Sequence, residues 1–511
     1  MSRRKLKTGA GALLLLLLIV LAARFTDCSL PALWARRSHL TDIAKQMIPP
    51  DWAYFPRILF PLWATVQMSV TGTALGAFLA LLLSPLCAMN LQAPRLPRRF
   101  LRCLIQILRS FPALILALTG TFLFGIGVFA GTFAITAYTF AIMTRLTYED
   151  LETAGLGPYK ALTAMGTPPY RACFRALLPE IAPSYLSNTL YMLETNVRHS
   201  AILGYVGAGG IGLLLNEKVS WREYDRGGAI LLALFLAVCL IEALSAALTD
   251  IVKGERHVGK TGRRLIVAAL LLLFVVSTAS VGGPDLSRSS FQTVKNMFLG
   301  LVNPDWAFFF RVGSAGLGYL LLETVCIALV GTAVGAVIAL PLSLLGSGRL
   351  MPRPVALLFR LLVMAVRSIP FLIYGLIFIR ATGPGAFTGV LTMAVCSVGL
   401  LSKRFTEALD TLDFRAYNAL AAMGVPALLR IRYAVLPQLF PAFASAALYR
   451  FDVNLREASV LGLVGAGGIG APLIFAMNHY SWPEAGAISL GLILLMWIVD
   501  GISSRLRRPV R

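Results

Sequence analysis

Two arginines carry the chemistry that this sequence can perform. Asn196-Val-Arg-His-Ser-Ala-Ile-Leu-Gly-Tyr-Val-Gly-Ala-Gly-Gly-Ile-Gly212 returns 258 residues later as Asn454-Leu-Arg-Glu-Ala-Ser-Val-Leu-Gly-Leu-Val-Gly-Ala-Gly-Gly-Ile-Gly470. Each copy sets an arginine, Arg198 or Arg456, in the middle of an apolar segment. A guanidinium there presents a permanent charge and five donors, which suit a tetrahedral oxyanion. Asn196 and Asn454 add amide donors two residues away. Arg198 follows Pro183 by 15 residues, which places it roughly 22 Å along a helix and well inside a hydrocarbon core of ~30 Å. Arg456 stands at the same distance from Pro441. A charge at such depth is costly and marks a functional site. Arg109 and Arg367, each followed by a serine (Ser110, Ser368), supply a second charged layer. Glu194 and Asp452 lie four residues before the central arginines, where i,i+4 pairs on one helix face would neutralise them. Substrate contact and structural pairing both remain open on this reading. No nucleophile and base stand together, which argues against an enzyme. The four histidines lack HxxxH or HExxH spacing, which argues against a metal site.

The elements that must position these arginines are membrane spans. The 511 residues are 57% hydrophobic and 14% charged, and apolar segments of about 20 residues follow one another. The net charge of +22 is the Lys and Arg excess of cytoplasmic loops and implies no nucleic acid. Cys28, Cys87, Cys103, Cys173, Cys239, Cys326 and Cys396 show no paired spacing and read as small hydrophobes. The basic start (Arg3, Arg4, Lys5, Lys7) and the apolar run to about Arg24 resemble a secretory signal. No small-x-small cleavage site clearly follows, and a like run recurs at Arg263–Ser280, so both read as retained spans.

Six spans per half are expected, near the N-terminus, 60–88, around Arg109-Ser-Phe-Pro112, ending near Met143, 184–205 and 227–249. They recur near 264–281, 316–345, 356–380, 385–402, 442–463 and 485–504. The chain thus divides into repeats 1–258 and 259–511, parallel because each holds an even number of spans. Gly72-Thr-Ala-Leu-Gly-Ala matches Gly331-Thr-Ala-Val-Gly-Ala, small residues that let helices approach closely. Pro112 and Pro370, in Arg109-Ser-Phe-Pro and Arg367-Ser-Ile-Pro, are expected to break their spans. Pro49-Pro-Asp-Trp and Asn303-Pro-Asp-Trp suit outer interfacial segments. The segments rich in Lys and Arg fall on one side when both termini are cytoplasmic. Gly207, Gly209, Gly210 and Gly212, with Gly465, Gly467, Gly468 and Gly470, fit GxGxxG but lack a βαβ context. They are expected to form a tight bend needing positive φ or close approach. Gly254-Glu-Arg-His-Val-Gly-Lys-Thr261 fits the P-loop pattern but sits in a short basic loop without a preceding strand.

Tyr159-Lys-Ala-Leu-Thr-Ala-Met-Gly166 with Leu178-Pro179, and Tyr417-Asn-Ala-Leu-Ala-Ala-Met-Gly424 with Leu436-Pro437, resemble the EAA loop of ABC importer permeases. Lys160 and Asn418 stand where that loop has its glutamate. With the Asn-x-Arg and glycine cluster and the earlier Arg-Ser-x-Pro, nearly the whole chain resembles the phosphonate permease family (PhnE-type), in two tandem copies. That family also serves phosphite, hypophosphite and phosphate. The resemblance implies an all-α integral membrane protein of two six-helix, MetI-like permease halves, about 12 transmembrane helices, in the bacterial plasma membrane. It implies two copies of a cytoplasmic ATPase, which bind ATP and Mg, and a periplasmic or lipoprotein substrate-binding protein. This chain would carry no cofactor. Ala161, Gly166, Pro179, Ala419, Gly424 and Pro437 would couple to the ATPase. A similar importer for another solute such as methionine, and an ion-coupled secondary transporter, are the competing classes.

Overall fold

The computed structural model describes residues 3–92, 94–254, 259–283, 291–313 and 316–507, and every regular element in them is helical. In a bilayer the backbone must satisfy its own hydrogen bonds, so apolar runs of this length become helices. The principal helices of the first repeat begin with α1 (Arg3–Phe25), α2 (Phe55–Cys87), α3 (Arg95–Ser110), α4 (Ala113–Phe124) and α5 (Val128–Thr153). They continue with α6 (Gly157–Ala164), α7 (Leu178–Leu203), α8 (Ile211–Ser220) and α9 (Tyr224–Val252). The second repeat supplies α10 (Lys260–Ser280), α11 (Leu317–Gly346), α12 (Arg353–Ser368), α13 (Phe371–Thr382) and α14 (Ala386–Asp410). It ends with α15 (Arg415–Ala422), α16 (Leu436–Leu461), α17 (Gly470–Asn478) and α18 (Trp482–Arg507).

Among the described residues seven helices are long and apolar enough to cross a bilayer, and nine spans result when each bent pair is taken as one. The bent pairs are α3 with α4 (98°) and α12 with α13 (85°), broken where Pro112 and Pro370 precede the second helix. The other three expected spans, α1, α7 and α16, are helical at the expected places. The apolar stretch of α1 is short, Leu13–Phe25. Helices α7 and α16 carry proline, acid, arginine and asparagine along their length.

Two compact units result, one of residues 1–44 with 297–511, the other of residues 45–296. The first helix of each repeat therefore belongs to the unit built mainly from the other repeat. Helix α1 packs on α11, with the Phe25 ring 5.1 Å from that of Tyr319. Helix α10 packs on α2.

Within each unit one tight helix pair forms the frame, α2 on α5 and α11 on α14. Glycine makes the approach possible. A methyl group built on Gly72 would meet Ile135 at 2.7 Å, and one on Gly76 would meet Thr139 at 2.7 Å. Gly331 and Gly335 stand equally close to Met393 and Ser397.

Candidate functional site

The close helix pair sets the stage for α7 and α16. Asn196 is fully buried on α7, and its Nδ2 donates to Thr73 Oγ1 on α2 (2.8 Å) and Thr139 Oγ1 on α5 (2.7 Å). Asn454 repeats the arrangement with Thr332 on α11 (2.7 Å) and Ser397 on α14 (2.7 Å). Each asparagine thus ties three helices of its own unit together. The amide donors expected to face an anion are committed to this packing. The four hydroxyl partners were not singled out from sequence, although Thr73 and Thr332 lie inside the matched Gly-Thr-Ala-x-Gly-Ala motif.

Two residues beyond each asparagine the repeats diverge. Arg198 Nη1 sits 3.0 Å from Glu194 Oε1, the expected i,i+4 pair. In the second repeat the corresponding pair of Asp452 with Arg456 does not form. Asp452 Oδ2 instead accepts from Ser503 Oγ on α18 (3.2 Å). Glu457, beside Arg456, is held by Arg450 Nη2 (2.8 Å), and Arg450 Nε also donates to Ser397 Oγ (3.3 Å). Both acids that flank Arg456 are engaged elsewhere. Arg456 is partly exposed and has no ion-pair or side-chain hydrogen-bond partner among the described residues. Arg450 and Glu457 have no charged counterpart 258 residues earlier, where Met192 and His199 stand.

The second charged layer sits at the helix breaks. Arg109 ends α3 and Arg367, buried, ends α12. Ser110 and Ser368 are buried, and their hydroxyls donate to Gln106 O (2.9 Å) and Ala365 O (2.8 Å) of the preceding turn.

After the arginines the backbone folds back. Gly207, Gly209 and Gly210 have φ of 83°, 75° and 77°, and Gly465, Gly467 and Gly468 have 78°, 77° and 78°, a region that costs other residues about 1–2 kcal/mol each. Gly212 and Gly470 have ordinary φ but no room: a methyl on Gly470 would lie 2.6 Å from Ser459 O, and Gly212 is pressed as tightly on Ala201 O. Ile211 N donates to Thr65 Oγ1 (2.8 Å) and Ile469 N to Thr324 Oγ1 (3.0 Å). In the second repeat alone a carboxylate joins the bend, Glu323 Oε2 accepting from Gly468 N (3.1 Å). The GxGxxG glycines therefore line a helix-to-helix reversal. Residues 255–258 of the P-loop-like stretch lie outside the described residues.

On the opposite flank, α6 and α15 are short helices closed by left-handed glycines, Gly166 (φ 84°) and Gly424 (φ 76°). Thr167 N bonds back to Leu162 O (3.0 Å) and Val425 N to Leu420 O (3.1 Å), a C-cap that glycine alone makes without strain. A π-helical turn, Cys173–Leu177 or Ile431–Val435, then leads into Leu178-Pro179 or Leu436-Pro437. The underside is pinned, with Tyr159, Ala172, Cys173 and Leu177 packed on Ala88, Leu91 and Leu151. Burial pushes the Cys173 thiol up to about 11, so it stays protonated and inert. The outer face is bare: Ala161, Gly166, Pro179, Ala419, Gly424 and Pro437 are exposed, and Met165 and Met423 are 80% and 77% exposed.

A corner between α8 and α9 holds Lys218, buried, with Glu217 (2.9 Å) and Glu223 (3.1 Å) on its ammonium. The hydrogen bond from Arg226 (2.7 Å), then that from Lys218, holds Glu223 below its usual carboxylate value. At the tip Arg222 adopts φ of 62°, and its counterpart Tyr480 adopts 58°.

The model of the family "binding-protein-dependent transport system inner membrane component" matches residues 72–254 and again 331–508. The chain is 28% identical to the phosphate-import permease protein PhnE of Mycolicibacterium smegmatis, over 92% of this chain and 88% of that one. It is 37% identical to the phosphite transport system permease protein PtxC of Stutzerimonas stutzeri, over 37% of this chain and 69% of the relative. Among solved structures it is similar to an inward-facing MetNI methionine ABC transporter, at 24% identity and a TM-score of 0.34, covering 38% of this chain and 96% of that one.

Proposed function

The chain belongs to the family of binding-protein-dependent transport system inner membrane components, and on that premise we propose that it is the permease of an ATP-driven importer for phosphonate or a related phosphorus oxyanion. Two copies of the family domain in one chain support its supplying both halves of the pathway. The printed names of its relatives, phosphate-import and phosphite permeases, support the cargo class. The observation that carries the anion reading is Arg456, a guanidinium on an intramembrane helix whose two neighbouring acids are turned away from it. An unneutralised cation at such depth is stable only where water or an anion reaches it. Arg109 and Arg367 at the helix breaks form the second charged layer. Arg198 and the two asparagines hold the frame around the path.

Transport proceeds by alternating access. A substrate-binding protein delivers the anion to the outer side. Two ATPase subunits, which bind the ATP and Mg, grip α6 to Pro179 and α15 to Pro437. Their closure rotates the two halves and opens the path outward, and hydrolysis resets it inward. Both termini lie in the cytoplasm.

The test is ATPase activity of the reconstituted complex with its binding protein, across phosphorus oxyanions, phosphonates and methionine. Stimulation by a phosphorus compound supports the reading. Stimulation by methionine alone overturns the cargo, and uptake that continues with an inactivated ATPase overturns the importer.

A further inference from the structure

Helix α3 (Arg95–Ser110) sorts its residues onto three strips. At about 100° per residue, Arg98, Arg102 and Ile105 fall on one side, and this side is anchored. Arg98 Nη2 donates to Leu91 O (2.9 Å) and Arg102 Nε to Cys87 O (2.7 Å). Arg102 also pairs with Glu152 and stacks 4.5 Å over the Tyr148 ring, and Ile105 is buried. The opposite strip is apolar and bare: Leu96, Phe100, Cys103 and Leu104 are exposed. Between them runs a polar flank of Arg95, Arg99 and Gln106, also exposed. Arg95 and Arg99 have no ion-pair or hydrogen-bond partner among the described residues.

The 98° break after Ser110 means that α3 and α4 cannot both run along the membrane normal. With α4 buried and apolar, an α4 that enters the bilayer turns α3 out of the bundle toward the surface. Its anchor is the end of α2 and the last turn of α5, the side on which the basic loops gather. A surface helix with an apolar face and a cationic flank seats the first in acyl chains and the second among head groups.

We infer that α3 is a binding site for an anionic phospholipid of the inner leaflet, with Arg95 and Arg99 on its phosphate and Leu96, Phe100 and Leu104 against its chains. Charge complementarity selects this occupant: two unpaired guanidiniums one turn apart beside an acyl-facing stripe match a lipid phosphate, and each basic side chain near such a surface contributes about 1 kcal/mol. The second repeat is a built-in comparison. In α12 the anchor persists, Arg360 Nε donating to Gly346 O (2.8 Å) and Nη2 to Asp410 (3.1 Å), and the stripe persists as exposed Leu358, Leu361 and Leu362. The flank does not: Leu357 and Met364 stand where Arg99 and Gln106 do, leaving Arg353 alone. The site belongs to the first repeat only, and it stands whatever cargo the permease carries.

The test is native mass spectrometry of the full chain taken from membranes of mixed phosphatidylglycerol and phosphatidylcholine. The wild type should retain phosphatidylglycerol preferentially, and Arg95→Gln with Arg99→Gln should weaken that retention roughly 25-fold, the product of two five-fold factors. Arg353→Gln should change it less than about five-fold. Leu357→Arg should create a second retained anionic lipid on α12. Both arginines are exposed and unpartnered, so the melting temperature of the double variant should match the wild type. Undiminished preference in the double variant overturns the site. So does displacement of the lipid by inorganic phosphate, which would make the site one for the free anion.

Discussion

Arg198 Nη1 lies 3.0 Å from Glu194 Oε1 one turn earlier on the same helix, and both side chains are largely withdrawn from solvent. The equivalent residues of the second repeat, Arg456 and Asp452, make no such pair. One sequence pattern therefore yields two electrostatic states.

That divergence separates stability from transport. Glu194→Gln leaves the Arg198 charge buried and unmatched, and is expected to destabilise the protein by about 3 kcal/mol, read as a lower melting temperature of the purified complex. Arg456→Gln removes a charge with no partner to strand. It should leave melting nearly unchanged and remove anion-stimulated ATPase activity. Equal loss of stability in the two variants would contradict this assignment.

The asparagine clasps should behave alike in both repeats. Asn196→Ala and Asn454→Ala each remove two buried amide-to-hydroxyl bonds and should cost about 1–3 kcal/mol, with little dependence on salt. A large salt effect, or an effect in one repeat only, would show that the amides act on a charge.

The helix contact behind the clasps tolerates no added side chain. Gly76→Val should destabilise by at least the ~1–3 kcal/mol of an overpacked core, because its first carbon already meets Thr139. The backbone oxygen of Thr136 stands equally close, so no smaller side chain at Thr139 should rescue the variant, read as unrecovered expression.

The inner helices should report on coupling. Met165→Glu and Met423→Glu alter tips that are 80% and 77% exposed, so folding should persist while the co-purifying ATPase is lost. Gly166→Ala forces a methyl into φ of 84° and should weaken the same association at a stability cost of about 1 kcal/mol.

The Glu223 corner predicts a direction with pH. Its carboxyl is held below the ordinary value of 4.5, so its contribution is present above that value and is lost as pH falls through the lower folded-state one. The difference in melting temperature between wild type and Glu223→Gln should be level above about pH 5 and vanish in stronger acid. Added salt should shrink it, because the group is exposed to screening.

Much of this was legible in the chain because geometry leaves few alternatives. Pro112 and Pro370 had to break their helices, and the glycines after each arginine had to supply positive φ or close approach. The Gly-Thr-Ala-x-Gly-Ala motif marked a close helix pair. The asparagine clasps were not legible, since nothing in a run of threonines says which helix their hydroxyls will meet. The Arg450 and Glu457 pair spans seven residues and competes with the nearer Asp452 and Arg456 pair, and only packing against α14 and α18 decides between them. The partners of α1 and α10 were equally hidden, because helices apolar all round carry no stripe that names a neighbour.

The exchange of first helices bears on how such a chain could be divided genetically. A gene cut at residue 258 would encode two polypeptides, each deprived of one helix of its own compact unit, α10 or α1, and carrying the other's. Neither product would be self-sufficient, yet the two would be complementary. Co-expression should restore what separate expression cannot, because each product carries the helix that completes the other's unit.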